Sequence, residues 1–221
     1  MKNQRIRVEV LMAAVVFLIG LALLLTEARA KDAPAALLAA VKYRLDSSQS
    51  KFIVRAPVGG LFSAFGHDHT IAIREFTGEA ELTPGTLTPA SLQMTIKADS
   101  LAVTDKVSDS DRQKIEATMR QEVLETSKHP EIIFRSTGVE ANQTGEGQYQ
   151  AKISGDLTLR GVTRSVLITA QVTVSGDTLR ARGAFPLKQS AYNIKPVSVL
   201  GGTIKVKDEL KLSFDIVAHK Q

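Results

Sequence analysis

From residue 42 onward apolar and polar residues alternate with a period of two in one run after another, the pattern of half-buried antiparallel strands. Phe52, Val54, Ala56 and Val58 share one face of the run 50–58, and Leu92, Met94, Ile96 and Ala98 share one face of 91–98. Tyr149, Ala151, Ile153, Gly155, Leu157 and Leu159 do the same over 149–159. Two later runs repeat the pattern, with Val166, Ile168, Ala170, Val172 and Val174 in one and Leu210, Leu212, Phe214, Ile216 and Ala218 in the other. Gly145-Glu146-Gly147, the corner Arg160-Gly161-Val162-Thr163 and the Gly-first pair Gly176-Asp177 punctuate the runs as hairpin turns. One segment changes period. Over 111–125, Ile115, Met119 and Val123 recur every four residues, and Ser110 with Gln113 fits a capping box, so a single short helix is predicted there. Pro130 ends it and biases His129 toward an extended conformation, leading into a strand over 132–139.

About eight strands and one helix make an all-β protein, a sandwich or an up-and-down barrel; the barrel is favoured because closure removes unpaired edges. The expected fold is an eight-stranded antiparallel barrel with one short helix in a connection. No repeat of solenoid or propeller length recurs.

The N-terminus is of another kind. Lys2, Arg5 and Arg7 precede a 16-residue uncharged run from Val10 to Leu25, and Ala28-Arg29-Ala30 offers small residues at a cleavage site. Residues 1–30 are therefore expected to be an export signal cleaved after Ala30, with 31–41 a linker and 42–221 the barrel domain. An uncleaved inner-membrane anchor is the alternative. Either way the domain is expected beyond the membrane, which for a bacterial chain is the periplasm.

This changes the charge reading. The chain of 221 residues carries 28 Lys and Arg against 23 Asp and Glu, but removing 1–30 leaves 24 against 21. The remaining cations are scattered among acids without interleaved aromatics, so nucleic acid is not an expected partner. No cysteine is present, which excludes disulfides, thiolate metal sites and cysteine nucleophiles together. Nucleophile elbows, Walker loops and dinucleotide-binding glycine turns are absent from the sequence, and no catalytic residue is assigned.

His67 and His69, two apart, would project from one strand face, with His129 as a third imidazole if the post-helix segment returns to the same rim. Such a set is either a polar barrel rim bonded to backbone or a ligand head group, or a metal site, zinc being the natural candidate. With an open position, Asp68 or Glu131 would be the available general base. Tyr192 and Lys195 near Pro196 are either head-group contacts or, the favoured reading, a surface connector.

Phe52, Val54, Phe134, Ile153, Leu157, Ile168, Val172, Leu212 and Phe214 are either a filled core or the wall of an apolar tunnel, since an interior of eight strands suits both. Three stretches bear on the choice: Tyr43-Arg44-Leu45-Asp46-Ser47-Ser48-Gln49-Ser50-Lys51-Phe52, His129-Pro130-Glu131-Ile132-Ile133-Phe134-Arg135-Ser136, and Gly155-Asp156-Leu157-Thr158-Leu159-Arg160-Gly161-Val162-Thr163-Arg164. With Val206-Lys207-Asp208-Glu209 before the last strand, they resemble the YceI-like family of exported polyisoprenoid-binding proteins. The resemblance implies a lipocalin-like barrel whose interior holds a long isoprenoid, a quinone or a similar amphiphilic lipid, without catalysis and with no required cofactor. Partners beyond the lipid would be a transient contact with the membrane or an envelope protein; oligomeric state is left open. The chain departs from the family in having Gln49-Ser50 for His-Ser, in lacking an Arg-Asp-x-His element near Asp111-Arg112, and in carrying Gly66-His67-Asp68-His69.

Overall fold

A computed structural model describes residues 39–60, 68–199, 201 and 203–221; the expected signal, most of the linker and His67 lie outside the described residues. Among the described residues thirteen strands occur, and eight staves built from ten of them close a barrel. The first stave is β1 (Val41–Ala56), followed by the two-residue β2 (Val58–Gly59) outside the ring. The second and third staves are each bent in two: β3 (His69–Ile73) with β4 (Phe76–Leu82), and β5 (Ala90–Lys97) with β6 (Leu101–Val103). After the helix come β7 (Glu131–Gly145), β8 (Gln148–Leu159), β9 (Val162–Ser175) and β10 (Thr178–Lys188). The short β11 (Ser198–Val199) and β12 (Ile204–Val206) then precede the last stave, β13 (Glu209–Lys220).

Each stave pairs antiparallel with its neighbours in chain order, and β13 returns to β1, from Tyr43↔Lys220 to Arg55↔Lys211. The eight-stranded antiparallel barrel read from the alternation is thus the observed fold. β8 shows why: its buried positions Tyr149, Ala151, Gly155, Leu157 and Leu159 lie on one face, while Gln148, Gln150 and Lys152 are exposed on the other. The bends fall where Glu75 N donates to Ser100 Oγ at 3.1 Å and Lys97 N donates to Glu75 O at 3.0 Å.

The helix begins two residues earlier than the spacing predicts. In α1 (Asp109–Thr118) the N-cap is Ser108, not Ser110: its Oγ accepts from Asp111 N at 3.1 Å and donates to Asp111 Oδ2 at 2.7 Å. Ser and Asp three apart serve the capping geometry as well as Ser and Gln, and two acids then sit in the positive first turn. A π-turn over Met119–Val123 follows, with Leu124 N bonded to Met119 O at 2.9 Å, and it brings Met119 and Leu124 into the core. One face of α1 finishes the edge of β6: Glu116 Oε1 accepts from Val103 N at 3.0 Å, and Arg112 Nη1 donates to Val103 O at 2.9 Å. Two side chains four apart on the helix thereby replace the missing neighbour strand.

On the outer wall, Arg180 donates to both oxygens of Asp215 at 2.6 and 2.7 Å, and Arg182 adds a third bond at 3.0 Å. The Arg180 hydrogen bond foremost, with Arg182, holds the Asp215 carboxyl down at about 2, and hydrogen bonds from Ser48 and Gln49 hold Asp46 there as well. Both values lie below the unfolded carboxylate value of about 3.9, so this stabilisation is complete above about pH 4 and is lost as pH falls through about 2. Urea midpoints measured across that window should fall for the natural chain. Asp215→Asn should be less stable by about 1 kcal/mol or less at neutral pH and show a shallower acid slope, the cluster being partly solvated.

Tyr192 corrects the reading of its segment as a surface connector. It ends a 3₁₀ turn, Gln189–Tyr192, and is only 2% exposed. Its hydroxyl finds no hydrogen-bond partner among the described residues, and burial pushes the phenol pKa up.

Candidate ligand-binding cavity

The barrel interior is not filled. A cavity of about 540 Å³ runs through it, within the range of about 300–1,000 Å³ that holds small organic ligands. Phe52, Val54, Phe134, Ile153, Leu157, Ile168, Val172, Leu212 and Phe214 all stand on its wall.

Two of the bulkiest liners are seated against glycine. A Cβ built on Gly183 would lie 2.5 Å from Phe214 Cζ, and one on Gly155 would lie 2.5 Å from Phe134 Cζ. Each ring therefore occupies the place of a missing side chain on the neighbouring strand. Phe214 stands edge-on to Phe52, with ring centroids 6.1 Å apart. A glycine under each aromatic lets a large residue line the wall without crossing the lumen.

The wall extends beyond the nine. Ile71, Met94 and Ile96 come from the bent staves, Leu179, Phe185 and Leu187 from β10, and Ile115, Met119 and Val123 from the helical segment. The helical stripe thus covers the lumen, as its packing on the barrel requires. Leu179, Ala181, Gly183, Phe185 and Leu187 alternate as plainly as any other run, and that period was the signal for β10.

β2, β12 and β11 form a small antiparallel sheet, with Lys205↔Gly59 and Ser198↔Lys205 in register. Val58, Ile204 and Val206 from this flap also line the cavity. At the far end of the barrel, Leu87 is inserted from the loop after β4 and is 4% exposed, with φ of 65°. Tyr149 Oη donates to Gly85 O at 3.0 Å and ties that loop down.

Polar groups on the wall are few: Gln189, His69, Lys114, Thr118, Ser91 and Glu81. Gln189 is 4% exposed, and its Nε2 donates to Lys207 O at 3.0 Å. His69 opens β3 with Nδ1 2.9 Å from Asp105 Oδ2, while Asp105 Oδ1 accepts from Thr70 N at 2.8 Å.

His129 stands elsewhere, against the β8–β9 turn, where a Cβ on Gly161 would meet its Cε1 at 2.9 Å. Both turn residues have positive φ, 49° at Arg160 and 71° at Gly161, as a two-residue hairpin requires. Arg160 then reaches Glu125 at 3.2 Å and Asn193 O at 2.7 Å, and Arg164 donates to Ala191 O at 3.0 Å. The hydrogen bond from Arg160 lowers the Glu125 pKa. The Arg-Gly-Val-Thr-Arg corner is therefore a clasp joining three connections at the helix-bearing end. Among the described residues no three His, Cys, Asp or Glu side chains are grouped to hold a metal ion; His67 lies outside them.

Such a cavity offers apolar contact along its length and hydrogen bonding only at scattered points, which suits an aliphatic chain better than a polar substrate. Comparison with known proteins agrees with this form. The YceI-like domain pattern matches residues 43–218. The crystal structure of BcnA from Burkholderia cenocepacia is similar at a TM-score of 0.61, with 20% identity, over 78% of this chain and 98% of that one. A polyisoprenoid binding domain from Saccharophagus degradans, implicated in plant cell wall breakdown, is similar at 0.57, with 12% identity, over 82% of this chain and 99% of that one. For the Campylobacter jejuni YCEI protein the values are 0.53, 15%, 68% and 84%. At these identities the three likenesses are likenesses of fold. None of the curated proteins matches the chain.

Proposed function

The chain belongs to the YceI-like family, and from that premise we propose that its barrel binds a long isoprenoid, a quinone or a similar amphiphilic lipid inside the lumen, without catalysis. The observation that carries this reading is an open cavity of about 540 Å³ walled almost wholly by aliphatic and aromatic side chains. Each methylene buried there contributes about 0.8 kcal/mol, so about ten of them contribute about 8 kcal/mol gross, and ordering costs leave micromolar affinity for a longer chain. Residues 1–30 would deliver the protein to the periplasm, where it carries or stores the lipid between membranes.

Mass spectrometry of protein purified under non-denaturing conditions, with organic extraction and metal analysis of the same sample, tests the reading. One isoprenoid or quinone chain per barrel is expected. Protein that is lipid-free and takes up no isoprenoid quinone would overturn it, and one zinc lost on His69→Ala would move the function to the histidines.

A further inference from the structure

The flap over the lumen has two unlike faces. Ile204 and Val206 line the cavity, while Lys205 between them and Lys207 beyond alternate to the other side and are exposed. The Lys207 stem lies across β2, its Cε 3.3 Å from where a Cβ on Gly59 would stand. Val206 N donates to Val197 O at 2.9 Å, which lays the segment with exposed Lys195 alongside Lys207. Lys188, also exposed, and Lys205 both act on Asp208 through space.

The neighbouring acids are already engaged or outnumbered. Asp208 accepts from Ser190 N at 2.7 Å and Ser190 Oγ at 2.6 Å, and Asp68 Oδ1 accepts from Val58 N at 2.9 Å. Glu209 is exposed directly across from Lys188, and Asp68 is exposed as well. Among the described residues none of the four lysines has a carboxylate within ion-pair distance. At the opposite end Lys220 lies 3.9 Å from Asp177, and the turns there carry Glu146 and Asp177. The outer face of the flap that covers the lumen thus carries more exposed lysines than carboxylates.

We propose that the basic outer face of this flap docks the barrel on an anionic lipid bilayer, so that the apolar lumen opens toward the headgroups. Exposed lysines that make no close ion pair are complementary to an anionic surface, where each contributes about fivefold in affinity. The attraction acts within a Debye length, about 10 Å at 0.1 M salt, so the flap rather than the barrel wall must meet the membrane. Docking stands on charge and exposure, whatever the cavity holds.

The chain has no cysteine, so a single Ser198→Cys, on the flap opposite Lys205, or Asp177→Cys, at the far end, carries an environment-sensitive dye. The full chain is mixed with vesicles of phosphatidylcholine alone or with a quarter phosphatidylglycerol, and shielding from an aqueous quencher is read. The N-terminal segment with Lys2, Arg5 and Arg7 is the same in every variant, so the dye positions and the charge reversal are compared on one vesicle composition at a time. Shielding at Ser198 is expected only on the anionic vesicles, with none at Asp177. Lys205→Glu with Lys207→Glu should weaken it by about tenfold or more, and high salt should abolish it. Equal quenching on both vesicles, shielding at Asp177 instead, or indifference to the charge reversal would overturn the proposal. Shielding at Ser198 that rises with protein concentration in the absence of vesicles would assign the face to a second copy, and would overturn it too.

Discussion

Ile153→Trp is expected to leave the barrel folded and empty of lipid. Ile153 lies on β8 between Val139 and Ile168, is only partly buried, and faces the lumen, so its neighbours leave room on the cavity side. An indole there occupies volume that a bound chain needs. Displacing about six methylenes removes about 5 kcal/mol, between three and four orders of magnitude in affinity. The fold should change little, because the added ring enters existing space instead of displacing close-packed atoms. Leu167→Trp is the matched control: Leu167 is 61% exposed on the outer face of β9, and the same added bulk there should leave binding untouched. Titration with an isoprenoid quinone beside thermal unfolding separates the outcomes. Undiminished binding by Ile153→Trp would show that the lumen is not the lipid site.

The largest stability loss should come from Gly183→Val. A Cβ at that position would stand 2.4 Å from Thr169 O and 2.5 Å from Phe214 Cζ, so a branched side chain meets both the neighbouring backbone and the ring. The ring can move, but the carbonyl belongs to the wall. A cost of about 3 kcal/mol, at the upper end for overpacking, corresponds to about 6–12 °C in a domain of this size. Phe214→Leu in the same chain should recover the part due to the ring and leave the part due to the carbonyl. A midpoint within a degree of the natural chain would mean that the strands do not approach as closely as described.

These contacts show how far the sequence could be read. Alternation is a property of each strand alone, so the inward faces of most staves were legible from residues such as Phe52 and Leu212, whereas whether those faces fill a core or line a tunnel was not. Closure into a ring was favoured over a sandwich because it hides the two edges that about eight half-buried strands would otherwise leave. Gly183 and Gly155 were visible as letters, but their service as seats for Phe214 and Phe134 depends on register across a strand pair, which no single run contains. The flap was equally hidden. Its strands are two or three residues long, and Val58, Ile204 and Val206 meet only after the barrel has placed them. Ser108 displaced Ser110 as helix cap because several Ser and Asp residues in a row each satisfy the capping rule, and packing of Glu116 and Arg112 on β6 selects among them. Tyr192 escaped for a similar reason: a polar aromatic between Ala191 and Asn193 carries no local sign that it will be enclosed.

The seam between β1 and β13 joins segments from the two ends of the domain. Every other pair of neighbouring staves is consecutive in the chain, separated at most by the helix-bearing connection or the flap segment, while the seam spans nearly the whole domain. If the domain is exported as proposed, a chain threading out of a translocation channel with its N-terminus leading would hold β1 as a waiting edge until β13 emerged. Until then there is a curled sheet and no lumen, and cargo acquired during assembly would be shed sideways. On the proposed lipid-binding function, loading would follow closure of the ring.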